Sequence, residues 1–289
     1  MQDAKDRDGS AGDRELGNGL VTAVIAPRIS RVMDFRRAGG ENVFWTSETS
    51  EVMGWRNWGG DRAWWWPQDR WGEAWGEPGV YVPTPAIDGR PWRVVDGPGD
   101  MAIRSDVDED LGAYLQRSFT LVEGEAAMRS TTTLVPMPGV GLADGEGRLP
   151  RQFVPWAITQ MDGDGPVYAR LIDGLSGDQA WTKPMGEKAM PMSRVDDRWV
   201  AIERVRESWF KVGLEADTLA VRLGDGWWFV QRYLGSATGG EFEPAERAQV
   251  YQDESLFELE FIAPSTGGSG PRSLDVESRL LEHSPLTID

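Results

Sequence analysis

Glycine and proline break this chain too often for long helices: 35 glycines and 18 prolines are spread through its 289 residues. Both residues interrupt helical runs. What survives between them is a series of short apolar segments, with no amphipathic helical period beyond about ten residues. Candidate strands are Tyr114–Val122, Ala127–Val135, Phe153–Met161, Val167–Ile172, Trp199–Ile202, Leu219–Leu223, Gly226–Leu234, Gln249–Gln252, Leu256–Ile262 and Ser273–Leu281. Turn clusters lie between them, at Glu123-Gly124, 136–148, 162–166, Gly224-Asp225-Gly226 and 265–271. Leu20–Pro27 and Ile29–Phe35 read as an opening hairpin or corner, and Met101–Ser105 as a further short strand. Many short strands at this spacing predict an all-β sandwich or barrel. Residues 1–18, charged and glycine-rich, are expected to form a flexible arm, with 19–289 a single domain. Residues 41–100 are dense in Trp, Gly and Pro without period, and predict a long ordered loop region carrying function rather than strands.

Composition narrows the chemistry. Hydrophobic residues make up 40% of the chain, enough for a sizeable core, and no apolar run approaches the roughly 18 residues of a membrane helix. No membrane partner is expected. The net charge of -17 repels nucleic acid at long range, so that partner is not expected either. The absence of cysteine excludes disulfides and thiol nucleophiles. The only histidine is His283, which excludes mechanisms needing two histidines and any multi-histidine metal site. Asp106–Leu111 begins like a calcium loop but has Leu111 where glycine is required and Arg117 where the bidentate Glu belongs, which predicts a solvated acidic turn. No phosphate loop, dinucleotide fingerprint or Gly-x-Ser-x-Gly is present, and neither a metal nor a cofactor is expected. The first ten residues carry no apolar stretch. This favours a secreted or periplasmic setting if a leader has been removed, and a cytoplasmic one otherwise. The oligomeric state stays open.

Seven of the fifteen tryptophans crowd into one stretch: Trp55, Trp58, Trp64, Trp65, Trp66, Trp71 and Trp75. An indole is a large apolar plate with a single N–H donor. A pyranose presents apolar C–H faces and hydroxylated edges. An indole under the ring with hydrogen-bonding side chains at its rim therefore suits a sugar. Trp58, Trp64, Trp66 and Trp71 are candidates to stack, with Asn57, Asp61, Arg62 and Gln68 at the hydroxyls, Arg62 also suiting a uronate. Gly59-Gly60 would let the backbone approach a ligand closely. Strand alternation would send Trp65 opposite to Trp64 and Trp66, so the cluster is expected to divide between core packing and ligand contact.

Leu256-Phe257-Glu258-Leu259-Glu260-Phe261-Ile262 alternates with period two, which puts Glu258 and Glu260 on one face of one strand, about 6.5–7 Å apart. Two such carboxylates could serve as acid and base, could bind sugar hydroxyls, or could belong to an ordinary polar outer face. Lys211 and Arg232 are charges within apolar strands, and either could pair with these glutamates or reach a ligand.

Three motifs together resemble the galactose-mutarotase-like superfamily, and most closely an uncharacterised bacterial branch of it. They are Asn57-Trp58-Gly59-Gly60-Asp61-Arg62 with Trp66-Pro67-Gln68 and Trp71; Lys211-Val212-Gly213 with Gly226-Trp227-Trp228-Phe229-Val230; and Phe257–Pro264. The resemblance spans residues 19–283 and implies a β-supersandwich with a concave sugar-binding face. True mutarotases also resemble Pro155-Trp156-Ala157-Ile158-Thr159-Gln160-Met161, which adds Trp156 to the candidate ligand contacts. The family's acid histidine would sit near Met161, and its second histidine beside a Gly-Gly turn like Gly59-Gly60, where Trp58 stands here. Neither histidine is present. The family's catalytic glutamate most resembles Glu260. A base without its acid partner opens an aldose ring poorly, so the resemblance implies the fold and sugar binding and argues against standard mutarotation.

The sequence therefore predicts a carbohydrate-binding supersandwich whose partner is a mono- or oligosaccharide. If it also does chemistry, Glu260, Glu258, Lys211 and Arg232 are the candidate catalytic groups. The alternatives are a glycoside hydrolase, a polysaccharide lyase or an atypical epimerase using Glu260, and a protein-interaction module.

Overall fold

A computed structural model describes residues 12–52, 54–72, 82–172, 175, 180–182, 185–186, 191–205, 208–235, 240–242 and 245–287. Two large antiparallel sheets face each other. The first runs in spatial order β1 (Arg14–Gly17), β2 (Val21–Ala26), β3 (Arg31–Arg37), β6 (Asp61–Trp66), β11 (Val154–Met161), β20 (Phe257–Ile262), β19 (Ala248–Gln252), β16 (Phe210–Leu214) and β13 (Met185–Gly186). The second runs β14 (Met192–Arg194), β15 (Trp199–Ile202), β12 (Val167–Leu171), β17 (Ala216–Arg222), β18 (Trp228–Gly235), β21 (Arg272–Leu281), β10 (Ala127–Pro136), β9 (Ala113–Leu121), β8 (Met101–Arg104) and β7 (Arg93–Val95). A small ribbon of β4 (Glu51–Val52) and β5 (Trp55–Arg56) stands apart. No helix of seven residues or more occurs among the described residues. The expected all-β sandwich is observed, and its main strands fall within a few residues of the positions predicted from turn spacing.

Two local expectations differ. Residues 41–100 are not loop throughout: Asp61–Trp66 forms β6, an internal strand of the first sheet flanked by β3 and β11. Its run of tryptophans hides the two-residue period because both of its faces are covered. Part of the segment expected to be an arm is also ordered, since Arg14–Gly17 pair with Thr22–Ile25. Asn18 explains this. Its side-chain oxygen accepts from the amides of Leu20 and Val21, while its Nδ2 donates to the carbonyls of Val122 and Glu125 at 2.8 and 2.9 Å. One side chain closes the hairpin and hooks it to the second sheet.

The core lies between the sheets. Ala63 and Trp65 of β6, Phe257, Leu259 and Phe261 of β20, Leu115 and Phe119 of β9, and Leu274, Val276 and Leu280 of β21 all point inward and are buried. Each large side chain removed from water there contributes about 1.5–3 kcal/mol. Trp71 belongs to this apolar mass: it is buried and its Nε1 donates to the Trp65 carbonyl at 3.0 Å.

A polar seam crosses the core. Arg117 of β9, fully buried, donates from Nη2 to the Asp61 carboxylate and from Nη1 to the Asp61 carbonyl at 3.1 Å. Thr159 of β11 donates to Asp61 Oδ2 at 2.7 Å, and Gln231 of β18 donates to Thr159 Oγ1 at 2.7 Å and to Ser278 Oγ at 3.1 Å. Asp61 thus fastens the first sheet to the second. Strand alternation gives it the same face as Ala63 and Trp65, which is why it sits in the core and not beside the other candidate sugar contacts. Arg232 is likewise elsewhere. It is exposed on the second sheet, with Thr218 and Glu277 as its register neighbours.

Removing one partner from a buried ion pair leaves the other charge uncompensated. Asp61→Ala is therefore expected to lower unfolding free energy by about 3–5 kcal/mol. Urea denaturation with the slope held in common between the two proteins measures it, and a loss below about 1 kcal/mol would remove the seam from the account of stability.

Candidate functional site

The outward face of the first sheet carries the chemistry. Successive residues of a strand alternate faces, so Arg62, Trp64 and Trp66 of β6 share a side with Trp156, Ile158 and Gln160 of β11, with Glu258 and Glu260 of β20, and with Lys211 of β16. Register lines them up in rows. Gln160 pairs with Glu258, Glu258 with Tyr251, and Tyr251 with Lys211. Trp64 pairs with Trp156. Every residue of β11 and β20 is buried, so Glu258 and Glu260 do not form an ordinary solvated face.

Burial obliges the charges on this face to find partners. Arg62 Nη2 donates to Glu258 Oε1 at 2.8 Å, and Gln160 Nε2 donates to the same oxygen at 2.7 Å. Arg62 Nη1 donates to Asn57 Oδ1 at 3.0 Å. The guanidinium lies 4.1 Å from the centroid of Trp64 and 5.0 Å from that of Trp55, a cation–π arrangement. Lys211 Nζ donates to Glu260 Oε2 at 2.9 Å and stands 4.6 Å from the Trp156 ring. Trp156 Nε1 donates to the same Glu260 oxygen at 2.9 Å. Glu260 is fully buried, and its Oε1 finds no hydrogen-bond partner among the described residues. Burial pushes the Glu260 carboxyl up to about 7; Lys211 pulls it down and Glu258 pushes it up further. Burial, with Asp253, Glu258 and Glu260 nearby, also raises the Tyr251 phenol, which keeps it neutral.

The tryptophans interlock edge to face. Trp55–Trp64, Trp64–Trp156, Trp66–Trp156 and Trp64–Trp71 have centroids 5.2–5.5 Å apart and planes crossing at 68–84°. Trp64 Nε1 donates to Asp88 Oδ2 at 2.7 Å, and Asp88 accepts both 2.7 and 2.8 Å bonds from Arg31. Arg31 Nη1 donates to the Gly59 carbonyl at 2.7 Å, and burial brings the guanidinium down to about 10. Sequence reasoning missed this clamp. Its two charged members, Arg31 and Asp88, lie 57 residues apart, so no local pattern connects them. Gly59 and Gly60 also pack closely against neighbouring backbone. Both have positive φ, and a Cβ would fall 2.1 Å from the Trp45 carbonyl oxygen or 2.3 Å from that of Val32.

Two cavities open on this face. One, of about 520 Å³, is bounded by Trp55, Asn57, Arg62, Trp64, Trp156, Gln160, Tyr251 and Glu258. The other, of about 670 Å³, is bounded by Trp66, Gln152, Thr182, Gln249 and Ser265. Gln68, Met185 and Lys211 line both. The structure thus gathers Asn57, Arg62, Trp64, Trp66, Gln68, Trp156, Lys211 and Glu258. Glu260 lies at this centre but lines neither cavity, being held beneath Lys211 and Trp156. Trp58 lines neither and has Arg56 and Arg28 over its ring. Trp71 packs against Trp64 but lines neither cavity, Asp61 and Arg232 point elsewhere, and Trp75 lies outside the described residues.

No family model and no curated protein matches the chain. Solved structures do. A protein of Escherichia coli K12 assigned as an aldose 1-epimerase superposes with a TM-score of 0.60 at 10% identity, over 93% of this chain and 98% of that one. The fold is that of the galactose-mutarotase-like superfamily. A protein of Salmonella typhimurium assigned as a mutarotase gives 0.52 at 9% identity, over 93% and 90%. Within this mutarotase-like sandwich, Met161 turns into the core, so the residue that faces the cavity at that point of β11 is Gln160. An amide there can hydrogen-bond but cannot supply a proton as an acid.

The raised Glu260 has a consequence for stability. A carboxyl that ionises at about 7 when folded and near 4.5 otherwise holds its proton more tightly in the folded protein. Its contribution to stability is therefore present at low pH and is lost as pH climbs to about 7. Glu260→Gln, which mimics the neutral acid, is expected to gain stability relative to the parent between pH 5 and 7. Thermal melts across that range check this, and a difference that stays flat with pH would mean Glu260 is ionised throughout.

Proposed function

We propose that the chain binds a carbohydrate in the smaller cavity, on the outward face of the first sheet. One observation carries the reading. Buried hydrogen-bonding groups already fixed in place, Arg62, Glu258 and Gln160, sit among the indoles of Trp55, Trp64 and Trp156 around a space of about 520 Å³. A space of this size is typical of small-molecule sites. Indole surface meets the apolar face of a sugar ring, and the fixed polar groups meet its hydroxyls. The interlocked rings and the Arg31–Asp88–Trp64 clamp hold the wall ready before a ligand arrives, so little side-chain entropy is lost on binding. The fold shared with proteins assigned as an aldose 1-epimerase and a mutarotase supports a sugar as ligand.

Binding is favoured here over turnover. Glu258 faces the cavity but is tied to Arg62 and Gln160, and Glu260, with its raised ionisation, is separated from the space by Lys211 and Trp156. A general base must come within hydrogen-bond reach of the proton it removes.

Trp55→Ala should weaken saccharide binding at least tenfold while the protein stays folded, because Trp55 is only half-buried. Tyr251→Phe deletes one hydroxyl and should cost about 1 kcal/mol of affinity, roughly fivefold. Calorimetric titration of the parent and both variants against a panel of mono- and oligosaccharides measures this. Equal affinity in all three proteins would move the site elsewhere.

A further inference from the structure

We propose that the ligand is a saccharide of at least two linked units, one in each cavity, with the linkage lying beside Lys211. The proposal rests on the carbohydrate reading above and narrows it from sugars in general to oligomers.

The two cavities repeat one recipe. The first offers the indoles of Trp55, Trp64 and Trp156, and the second offers Trp66, whose ring is half-buried and stands edge to face with Trp156. Each also holds a buried glutamine with an unanswered acceptor. Gln160 lines the first cavity and is 1% exposed; Gln249 lines the second and is 4% exposed. The Oε1 of each has no hydrogen-bond partner among the described residues. A buried acceptor without a donor costs about 1–3 kcal/mol. Both side chains line a cavity while their Oε1 atoms are closed off from it, so a sugar hydroxyl, a donor of the right size, would relieve each acceptor as the amide tilts toward the occupant.

The cavities also share a wall. Gln68, Met185 and Lys211 line both, and Lys211 is fixed at the junction by its 2.9 Å bond to Glu260. A single pyranose in either cavity would leave the other glutamine unsatisfied. Two linked units answer both at once, and the second unit binds with the gain of an intramolecular event. The bond between the units must then pass the shared wall, next to the Lys211 ammonium.

The test is a calorimetric length series with glucose, galactose, mannose and xylose and their homo-disaccharides and trisaccharides. In the parent protein, one disaccharide is expected to bind at least tenfold more tightly than its monosaccharide. Gln249→Met keeps the side-chain volume but removes the acceptor, and should shrink that ratio to about threefold or less. Gln160→Met should weaken monosaccharide and disaccharide together. Both variants are first checked for an unchanged melting temperature. Monosaccharides that bind as tightly as every oligomer would overturn the two-unit proposal and leave the carbohydrate reading standing, as would a length ratio unaffected by Gln249→Met. No binding of any saccharide at any length would overturn the carbohydrate reading, and this proposal with it.

Discussion

The site depends on one constraint: a strand buried on both of its faces must pair every charge it carries. Strand β20 is buried throughout, yet two of its six residues are glutamates. Water does not reach Glu260 and reaches Glu258 only from the cavity, so each takes a cation from a neighbouring strand. Glu258 takes Arg62 across β11, and Glu260 takes Lys211 across β19. The two pairs reach over the sheet in opposite directions from the central strand. They fix four long side chains that would otherwise sample many rotamers. The aromatic rings then fill the space between the pairs, and their edge-to-face contacts leave little freedom to rearrange.

The pairs differ in depth. Both bonds described to Glu258 fall on Oε1, from Arg62 and Gln160. Glu260 spends one oxygen on Lys211 and Trp156 and keeps the other without a partner. Glu260 is fully buried whereas Glu258 borders a cavity, and that burial lifts the Glu260 ionisation to about 7. The same strand therefore holds one carboxylate that is part of the wall and one poised to change charge near neutral pH beneath it.

Most of the scaffold was legible in the sequence because turn chemistry is local. Glycine, proline and aspartate mark reversals wherever they occur, and the segments between them became strands nearly where expected. The pairing of Glu258 and Glu260 on one face followed from period two alone. The site was less legible. Strand β6 was hidden because Asp61–Trp66 has apolar or charged residues on both faces, and alternation is visible only when one face is wet. Asp61 looked like a sugar contact because its partner, Arg117, lies 56 residues away on the other sheet. Arg31 and Asp88 gave no sign of each other for the same reason, at a separation of 57. Long-range pairing of charges is decided by topology, which no local pattern carries.

Asp61 and Arg62 stand back to back on one strand, the first held by an arginine inside the sandwich and the second by a glutamate outside it. Sliding that strand by a single position would exchange their surroundings. Two guanidinium groups would then meet in the interior and two carboxylates would meet on the outward face. The aspartate–arginine doublet therefore works as an electrostatic key for strand alignment. Insertions or deletions within this short segment should be far rarer in working copies of the molecule than changes of residue type.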